Sequence, residues 1–125
     1  MTEKQLHKQI CIYIKAQYPN VIFNTDMSGI KLTMGQAIQA KLLRSDNGFP
    51  DIQIFEPRGK LHGLFIELKK ETPYKKNGEL KKSEHLLEQI KMHDKLKERG
   101  YCVHLCWTFE MTKKAIDEYL SLKII

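Results

Sequence analysis

Two β-type runs that follow each other closely constrain the fold of this chain more than any other feature. Ile52, Ile54 and Phe55 predict one strand, and Leu61–Lys69 predicts a second. Glu56-Pro57-Arg58-Gly59, which follows the first run, has the composition of a turn. We therefore predict that the two strands pair as a hairpin.

The rest of the chain predicts helices and strands in an α/β order. Periodic apolar residues indicate helices, while β-branched and aromatic runs indicate strands. The predicted helices are Glu3–Tyr18 with Thr2 as its N-cap, Gly35–Arg44, Ser83–Arg99 and Glu110–Leu120, and the further strands are Val21–Asn24 and a fully buried Tyr101–Trp107. Ser28 and Gly29 break the pattern before the second helix, and Gly100 ends the third.

Two helix faces are predicted to point inward. In the third helix this face carries Leu86, Ile90, His93 and either Leu96 or Lys97. In the last helix it carries Ala115, Ile116, Tyr119 and Leu120. Both faces have the spacing of helices that cover a sheet.

Length and composition limit the kind of protein this can be. A chain of 125 residues without a linker predicts one domain over residues 1–125, and no apolar run reaches the roughly 20 residues of a membrane span. No secretory signal begins the sequence, so we expect three cysteine thiols in a reducing, cytoplasmic setting. The net charge of +6 favours a polyanionic partner.

The predicted hairpin carries the residues that are candidates for an active site. Side chains alternate along a strand, so Glu67 and Lys69 share one face while Ile66 and Leu68 point to the other. If Asp51 begins the neighbouring strand, its carboxylate approaches that of Glu67. Two carboxylates at this distance repel each other unless a proton or a cation lies between them.

This pattern predicts a metal-dependent phosphodiesterase centre. Asp51, Glu67 and the Leu68 carbonyl form an all-oxygen ligand set for Mg²⁺ or Mn²⁺. Lys69 would orient the attacking water or stabilise the charge on the phosphate. A purely structural interpretation stays open, in which Asp51 caps a turn and Glu67 and Lys69 form a solvated pair.

At these residues the chain resembles the VRR-NUC domains of the PD-(D/E)XK nuclease superfamily, especially the short stand-alone members of phages and bacteria. The resemblance covers most of the chain. It rests on Gly48–Ile52, on Phe65–Lys70, and on Gln89 placed eleven residues before Gly100 and the strand that follows. The sequence Phe65-Ile66-Glu67 departs from the family where many members carry valine.

The resemblance implies a restriction-endonuclease-like αβββαβ core with a mixed central sheet flanked by helices. It also implies hydrolysis of DNA with a divalent metal, and it adds Gln89, on the helix after the ExK strand, to the catalytic residues Asp51, Glu67 and Lys69. Glu3 matches an acidic residue that reaches the metal from the first helix. His85 and His93 are candidates to lie near Gln89, although none of the histidines forms a metal motif such as HExxH.

Clustered lysines suggest how DNA would bind. Besides Lys69, five lysines lie within the next thirteen residues: Lys70, Lys75, Lys76, Lys81 and Lys82. They are predicted to contact the DNA backbone, with a solvated mobile loop as the alternative. Nothing in the sequence indicates base readout, which favours recognition of branched DNA by shape.

Stand-alone members of the resembled family act as homodimers on four-way junctions, so the prediction is a dimeric Holliday junction resolvase. Ile38, Leu42 and Leu43 on the second helix are candidates for the dimer contact, or they pack on the core. Flap, nicking or restriction-like cleavage on the same fold stays open, as does a DNA-binding module without catalysis.

Overall fold

A mixed four-stranded sheet forms the centre of the protein. The structure is a computed structural model that describes residues 1–26 and 31–124. Its elements in chain order are α1 (Glu3–Gln17), β1 (Phe23–Thr25), α2 (Met34–Leu42), β2 (Ile52–Ile54), β3 (Leu64–Leu68), α3 (Glu84–Glu98), β4 (Cys102–Cys106) and α4 (Phe109–Leu120). The predicted break at Ser28 and Gly29 lies outside the described residues.

The strand order β1-β2-β3-β4 confirms the predicted α/β fold class with a mixed sheet. The first three strands run antiparallel, with Ile52 opposite Ile66, so the predicted hairpin is correct. Strand β3 ends at Leu68 and is shorter than predicted. The connection to α3 then returns the chain so that β4 runs parallel to β3, with Glu67 opposite Leu105.

The helices cover both faces of the sheet. On one face, α1 and α4 bury Ile10, Ile14 and Ile116 against alternate residues of the central strands, which include Ile52 and Ile66. The other face of β3 meets α3, where His93 contacts Glu67. Side-chain alternation on β3 therefore directs Ile66 into the apolar core and Glu67 towards α3.

Local sequence signals set the helix ends. Thr2 accepts a hydrogen bond from the backbone of Gln5, whose side chain bonds back to Thr2, so the predicted cap of α1 is confirmed as a capping box. At the end of α3, Gly100 has φ +89° and the Tyr101 amide donates to the Leu96 carbonyl. The predicted end of α3 at this glycine is therefore confirmed.

Two predictions of burial are wrong. Strand β4 is not fully buried, because it lies at the edge of the sheet and exposes His104. The buried residues of α3 are Leu86, Gln89, Met92 and His93, whereas Ile90 and Leu96 are partly exposed and Lys97 is exposed. The polar Gln89 and His93 are buried because they meet the charged groups at the end of β3 rather than an apolar layer.

The interior face of α4 is close to the prediction. Ile116 and Tyr119 are buried, but Ala115 and Leu120 are only partly covered, and Thr112 is buried in addition. Among the described residues, no helix has the length and apolar character needed to cross a membrane.

Substitution of Ile10, which is completely buried, tests this core. Ile10→Ala should lower the free energy of unfolding by about 2–5 kcal/mol, because it removes buried methylenes and leaves a cavity. Ile12→Ala on the exposed side of α1 is the matched control and should change it by less than about 0.5 kcal/mol. Urea denaturation of both variants measures the difference, and equal losses would contradict the arrangement of α1.

Candidate active site

Asp51 lies immediately before β2 and is fixed by both neighbouring strands. Its carboxylate oxygen Oδ2 accepts a hydrogen bond of 2.8 Å from the Leu68 amide at the end of β3. Its backbone carbonyl accepts a hydrogen bond of 2.9 Å from the amide of Asp26, which follows β1. The carboxylate is therefore held at the end of β3, as the sequence predicts for a residue that begins the strand beside Glu67.

Glu67 is the most buried charged side chain at this place, with 2% of its surface exposed. Burial, and then the hydrogen-bond contact and the negative charge of Asp51, raise the pKa of Glu67 to about 10, although Lys69 opposes the shift. At neutral pH and without a cation, the Glu67 carboxyl is therefore protonated. The protonated Glu67 carboxyl can therefore form a hydrogen bond with Asp51.

His93 contacts Glu67 from α3. The ring atom Nε2 lies 3.4 Å from Glu67 Oε1, and both side chains are almost fully buried. Burial, with smaller contributions from Lys97 and Lys69, lowers the pKa of His93 to about 4. The contact is therefore a hydrogen bond with a neutral imidazole, which restricts the orientation of the Glu67 carboxyl.

Lys69 and Gln89 form a second polar contact at the end of β3. The Lys69 ammonium donates a hydrogen bond of 2.5 Å to Gln89 Oε1. The Lys69 amide donates to the Cys106 carbonyl of β4 at 2.8 Å, so the backbone at Lys69 continues the sheet. Gln89 is itself 95% buried, which fixes the end of the lysine chain.

The polar side chains line one cleft of about 460 Å³. Its acidic lining consists of Glu3 on α1, Asp51 just before β2, Glu67 on β3 and Glu88 on α3. Its basic lining consists of Lys4, Lys41, Arg44 and Lys69, with His7 and His85. All four predicted catalytic residues therefore share this cleft with the predicted metal ligand Glu3.

The donor set fits a divalent cation with few protein ligands. Among the residues that the structure describes, no three His, Cys, Asp or Glu side chains are grouped closely enough to hold a metal alone. The contact between Asp51 and the buried Glu67 nevertheless places two carboxyl groups where a cation would replace the proton. Mg²⁺ accepts such a set, because it usually keeps several waters beside one or two carboxylates.

The predicted DNA-binding lysines lie elsewhere. Lys70 lines a neighbouring depression that also contains Trp107. The other four belong to a segment in which Tyr74 pairs with Leu80 and the Lys75 amide donates to the Glu79 carbonyl at 2.6 Å. None of the five lysines lines the cleft, so a contact with DNA would extend beyond it.

Sequence reasoning missed the basic residues that line the cleft beside Lys69. Lys4 and His7 are three residues apart on α1, and Lys41 and Arg44 have the same separation at the end of α2. The spacing of Lys4 and His7 places both on one side of α1 and was an available signal, whereas Arg44 lies beyond the end of α2. The contact of His93 with Glu67 was missed as well, although His85 and His93 were named as candidates to lie near Gln89.

Solved structures with this architecture provide an independent comparison. A structure described as a VRR_NUC domain protein aligns with a TM-score of 0.67 over 98% of this chain and 91% of its own, at 23% identity. The chain has the VRR-NUC domain fold. A second structure, described as a VRR_NUC domain, aligns with a TM-score of 0.51 at 22% identity, over 95% of this chain and 99% of its own.

No family model matches the chain, and no curated protein does. The support for the VRR-NUC fold among known proteins is therefore structural similarity, at sequence identities of 22–23%. It agrees with the resemblance based on the segments around Asp51, Glu67 and Gln89.

The raised pKa of Glu67 predicts how the stability of the metal-free protein depends on pH. The folded state keeps a proton that the unfolded state releases above pH 4.5. The contribution of this proton to the free energy of unfolding is therefore complete below that pH, and it is lost as the pH rises towards about 10. Glu67→Gln mimics the protonated form, so the variant should not lose this stability as the pH rises. In EDTA, the variant should therefore exceed wild type in unfolding free energy at pH 9 and match it near pH 5.

Urea denaturation between pH 5 and pH 9 measures this difference. Glu98→Gln, at an exposed position of α3, is the control and should keep the pH profile of wild type. A Glu67→Gln variant that is less stable than wild type at pH 9 would contradict the protonated state of Glu67.

Proposed function

We propose that the protein is a divalent-metal-dependent endonuclease that hydrolyses phosphodiester bonds in DNA. The contact between Asp51 and the buried Glu67, beside an ammonium group fixed by Gln89, carries this proposal. The VRR-NUC fold supports it, since the name of that domain denotes a nuclease.

Asp51, Glu67 and the Leu68 carbonyl would hold Mg²⁺ or Mn²⁺. The Leu68 amide already faces Asp51, and the N–H and C=O of one residue in an extended strand point to the same side. Glu3 lines the cleft and its negative charge contributes to the raised pKa of Glu67, so it is a candidate for a further ligand. When bound, the metal would activate water and offset negative charge on the phosphate.

Lys69 and Gln89 would act together on the reacting phosphate. The ammonium of Lys69 has three donors, and only one is needed for Gln89. The others can hold a water in line with the phosphorus or stabilise the charge on a phosphate oxygen. Gln89 fixes the ammonium, so that less conformational freedom is lost when the substrate binds.

Branched DNA is the proposed substrate, as for a Holliday junction resolvase. The segment with Tyr74 and Leu80 folds into a small hairpin, with Lys75 and Lys76 near its tip. Lysines on a hairpin outside the cleft would contact a DNA backbone away from the scissile bond. Such a second contact favours recognition of shape over sequence.

Helix α2 supports a homodimer. It buries none of its side chains, and Met34, Ile38 and Leu42, at intervals of four residues, are between 55% and 82% exposed together with the following Leu43. Packing on the core, the alternative for this segment, is therefore wrong. A helix of nine residues is marginal in water without packing, and the same stripe on a second copy would cover it.

Cleavage of defined DNAs tests the proposed activity. Asp51→Asn should lower the rate of Mg²⁺-dependent cleavage of labelled four-way junctions by at least about a hundredfold, because it removes a metal ligand. Binding should be retained, because the lysine hairpin stays intact. Asp94→Asn, on the exposed side of α3, is the matched control and should cleave like wild type. Gel assays with Mg²⁺, Mn²⁺ or EDTA measure both effects.

The same assay with flap, duplex, single-stranded DNA and RNA defines the substrate. Paired symmetric cuts confined to the junction would support the resolvase, whereas cuts in flaps or linear DNA would retain only the nuclease. Normal cleavage by Asp51→Asn would contradict the proposed site. Binding of DNA without any metal-dependent cleavage would identify a binding module.

Sedimentation equilibrium tests the dimer. Leu42→Asp should shift the protein towards monomer, since it places a charge in the exposed apolar stripe of α2. Leu87→Asp, at an exposed apolar position of α3, is the control and should leave the mass unchanged. A wild-type monomer at micromolar concentration would contradict the proposed dimer.

A further inference from the structure

Trp107, the single tryptophan of the chain, lies in the depression next to the cleft. This depression has a volume of about 350 Å³, and its lining combines apolar side chains such as Leu6 and Phe109 with Lys69 and Lys70. The indole is partly exposed, so a ligand can reach it. Because Lys69 also lines the cleft, the depression continues the cleft on the side of that lysine.

The end of the sheet sets the distance between Trp107 and Lys69. Strands β3 and β4 pair with Leu68 opposite Cys106, and the Lys69 amide donates a hydrogen bond of 2.8 Å to the Cys106 carbonyl. Lys69 and Trp107 are the next residues of the two segments, so their backbones are about one strand spacing, ~4.8 Å, apart. A nucleic-acid strand that reaches Lys69 therefore has a neighbouring nucleotide within reach of Trp107.

A ring contact supports the indole without filling the depression. Tyr74, on the lysine hairpin, meets Trp107 edge to face, with 6.0 Å between the ring centroids and 65° between the ring planes. Trp107 also lines a further depression, and Tyr74 lines that one but not the depression that contains Lys70. The contact with Tyr74 therefore restricts the orientation of the indole and leaves the depression with Lys70 open.

The chemistry of the lining matches a nucleobase with its phosphate. The indole offers a flat π-face, on which any of the bases can stack. Lys69 and Lys70 add positive charge at the same place, which suits the phosphates on either side of a base, and they outnumber the acid Glu110. A purely apolar ligand would gain nothing from the two lysines, so the lining favours a nucleotide.

We propose that Trp107 stacks on an unpaired base of the nucleic-acid strand in the cleft, while Lys70 contacts the phosphate of that nucleotide. The inference rests on the proposed function, because it assumes that the cleft accepts nucleic acid. A base inside a duplex is stacked on its neighbours, and its removal from the stack costs free energy. The site therefore selects DNA in which a base near the cleaved bond is unpaired or unstacked, as at a branch point.

The fluorescence of Trp107 tests this inference directly, because the chain has no other tryptophan. In EDTA, single-stranded DNA and a four-way junction should quench this fluorescence at saturation, whereas a fully paired duplex should not. In the junction, an abasic site at one nucleotide near the branch point should remove the quenching. Equal quenching by saturating duplex, or none by any of these DNAs, would overturn the site.

Variants of Trp107 separate stacking from apolar packing. Trp107→Leu keeps an apolar side chain but removes the π-face, so it should weaken binding of labelled single-stranded DNA by at least about fivefold in fluorescence anisotropy, whereas Trp107→Phe should retain most of the affinity. Phe55→Leu is the matched control, because Phe55 is an exposed aromatic residue that lines neither the cleft nor the depression, and it should bind like wild type. Thermal melting verifies that each variant is folded. Wild-type affinity in Trp107→Leu, or equal losses in both Trp107 variants, would overturn the stacking.

The outcomes separate this inference from the proposed nuclease. A wild-type protein that shows the base-dependent quenching but cleaves nothing with Mg²⁺ would refute the nuclease and retain the base site. Cleavage by wild type without any quenching would do the reverse. A wild-type protein that binds neither single-stranded nor junction DNA in EDTA would overturn the base site.

Discussion

The structure of the site depends on one carboxyl group buried in the sheet. Glu67 lies on β3, between β2 and β4, where a lone negative charge would be strongly unfavourable. Asp51 and His93 contact it from two sides, and the raised pKa shows that a proton neutralises it when no cation is present. A cation held between Asp51 and Glu67, as proposed, would take the place of this proton.

The contacts around Glu67 link elements that are distant in the chain. The hydrogen bond from the Leu68 amide to Asp51 joins the start of β2 to the end of β3. Gln89 and His93, four residues apart on α3, contact Lys69 and Glu67 respectively. One helix therefore orients both the ammonium and the buried acid, and a displacement of α3 would change both together.

Much of the fold followed from local sequence, because caps, turns and the alternation on β3 are short-range signals. The Thr2 cap, the Gly100 end and the pairing of β2 with β3 are of this kind. The burial of β4 was mispredicted because an apolar run looks the same in a central strand and in an edge strand. The pair Asp51 and Glu67 was predicted from the residue pattern of the hairpin, and Gln89 from the resemblance to VRR-NUC domains. The position of Arg44 in the cleft depends instead on how the turn after α2 packs on α3, which is a tertiary property.

Helix α2 contributes to the lining of the cleft but not to the core. In the chain it connects β1 to β2, and it buries no side chain in the core. It nevertheless brings Lys41 to the cleft, and Arg44 follows two residues after its end. Because α2 buries no side chain, we expect substitutions on it to leave the packing around Asp51 and Glu67 unchanged. The sequence of α2 can therefore vary without a cost to the core, so α2 is a suitable segment to exchange when the lining of the cleft is to be changed.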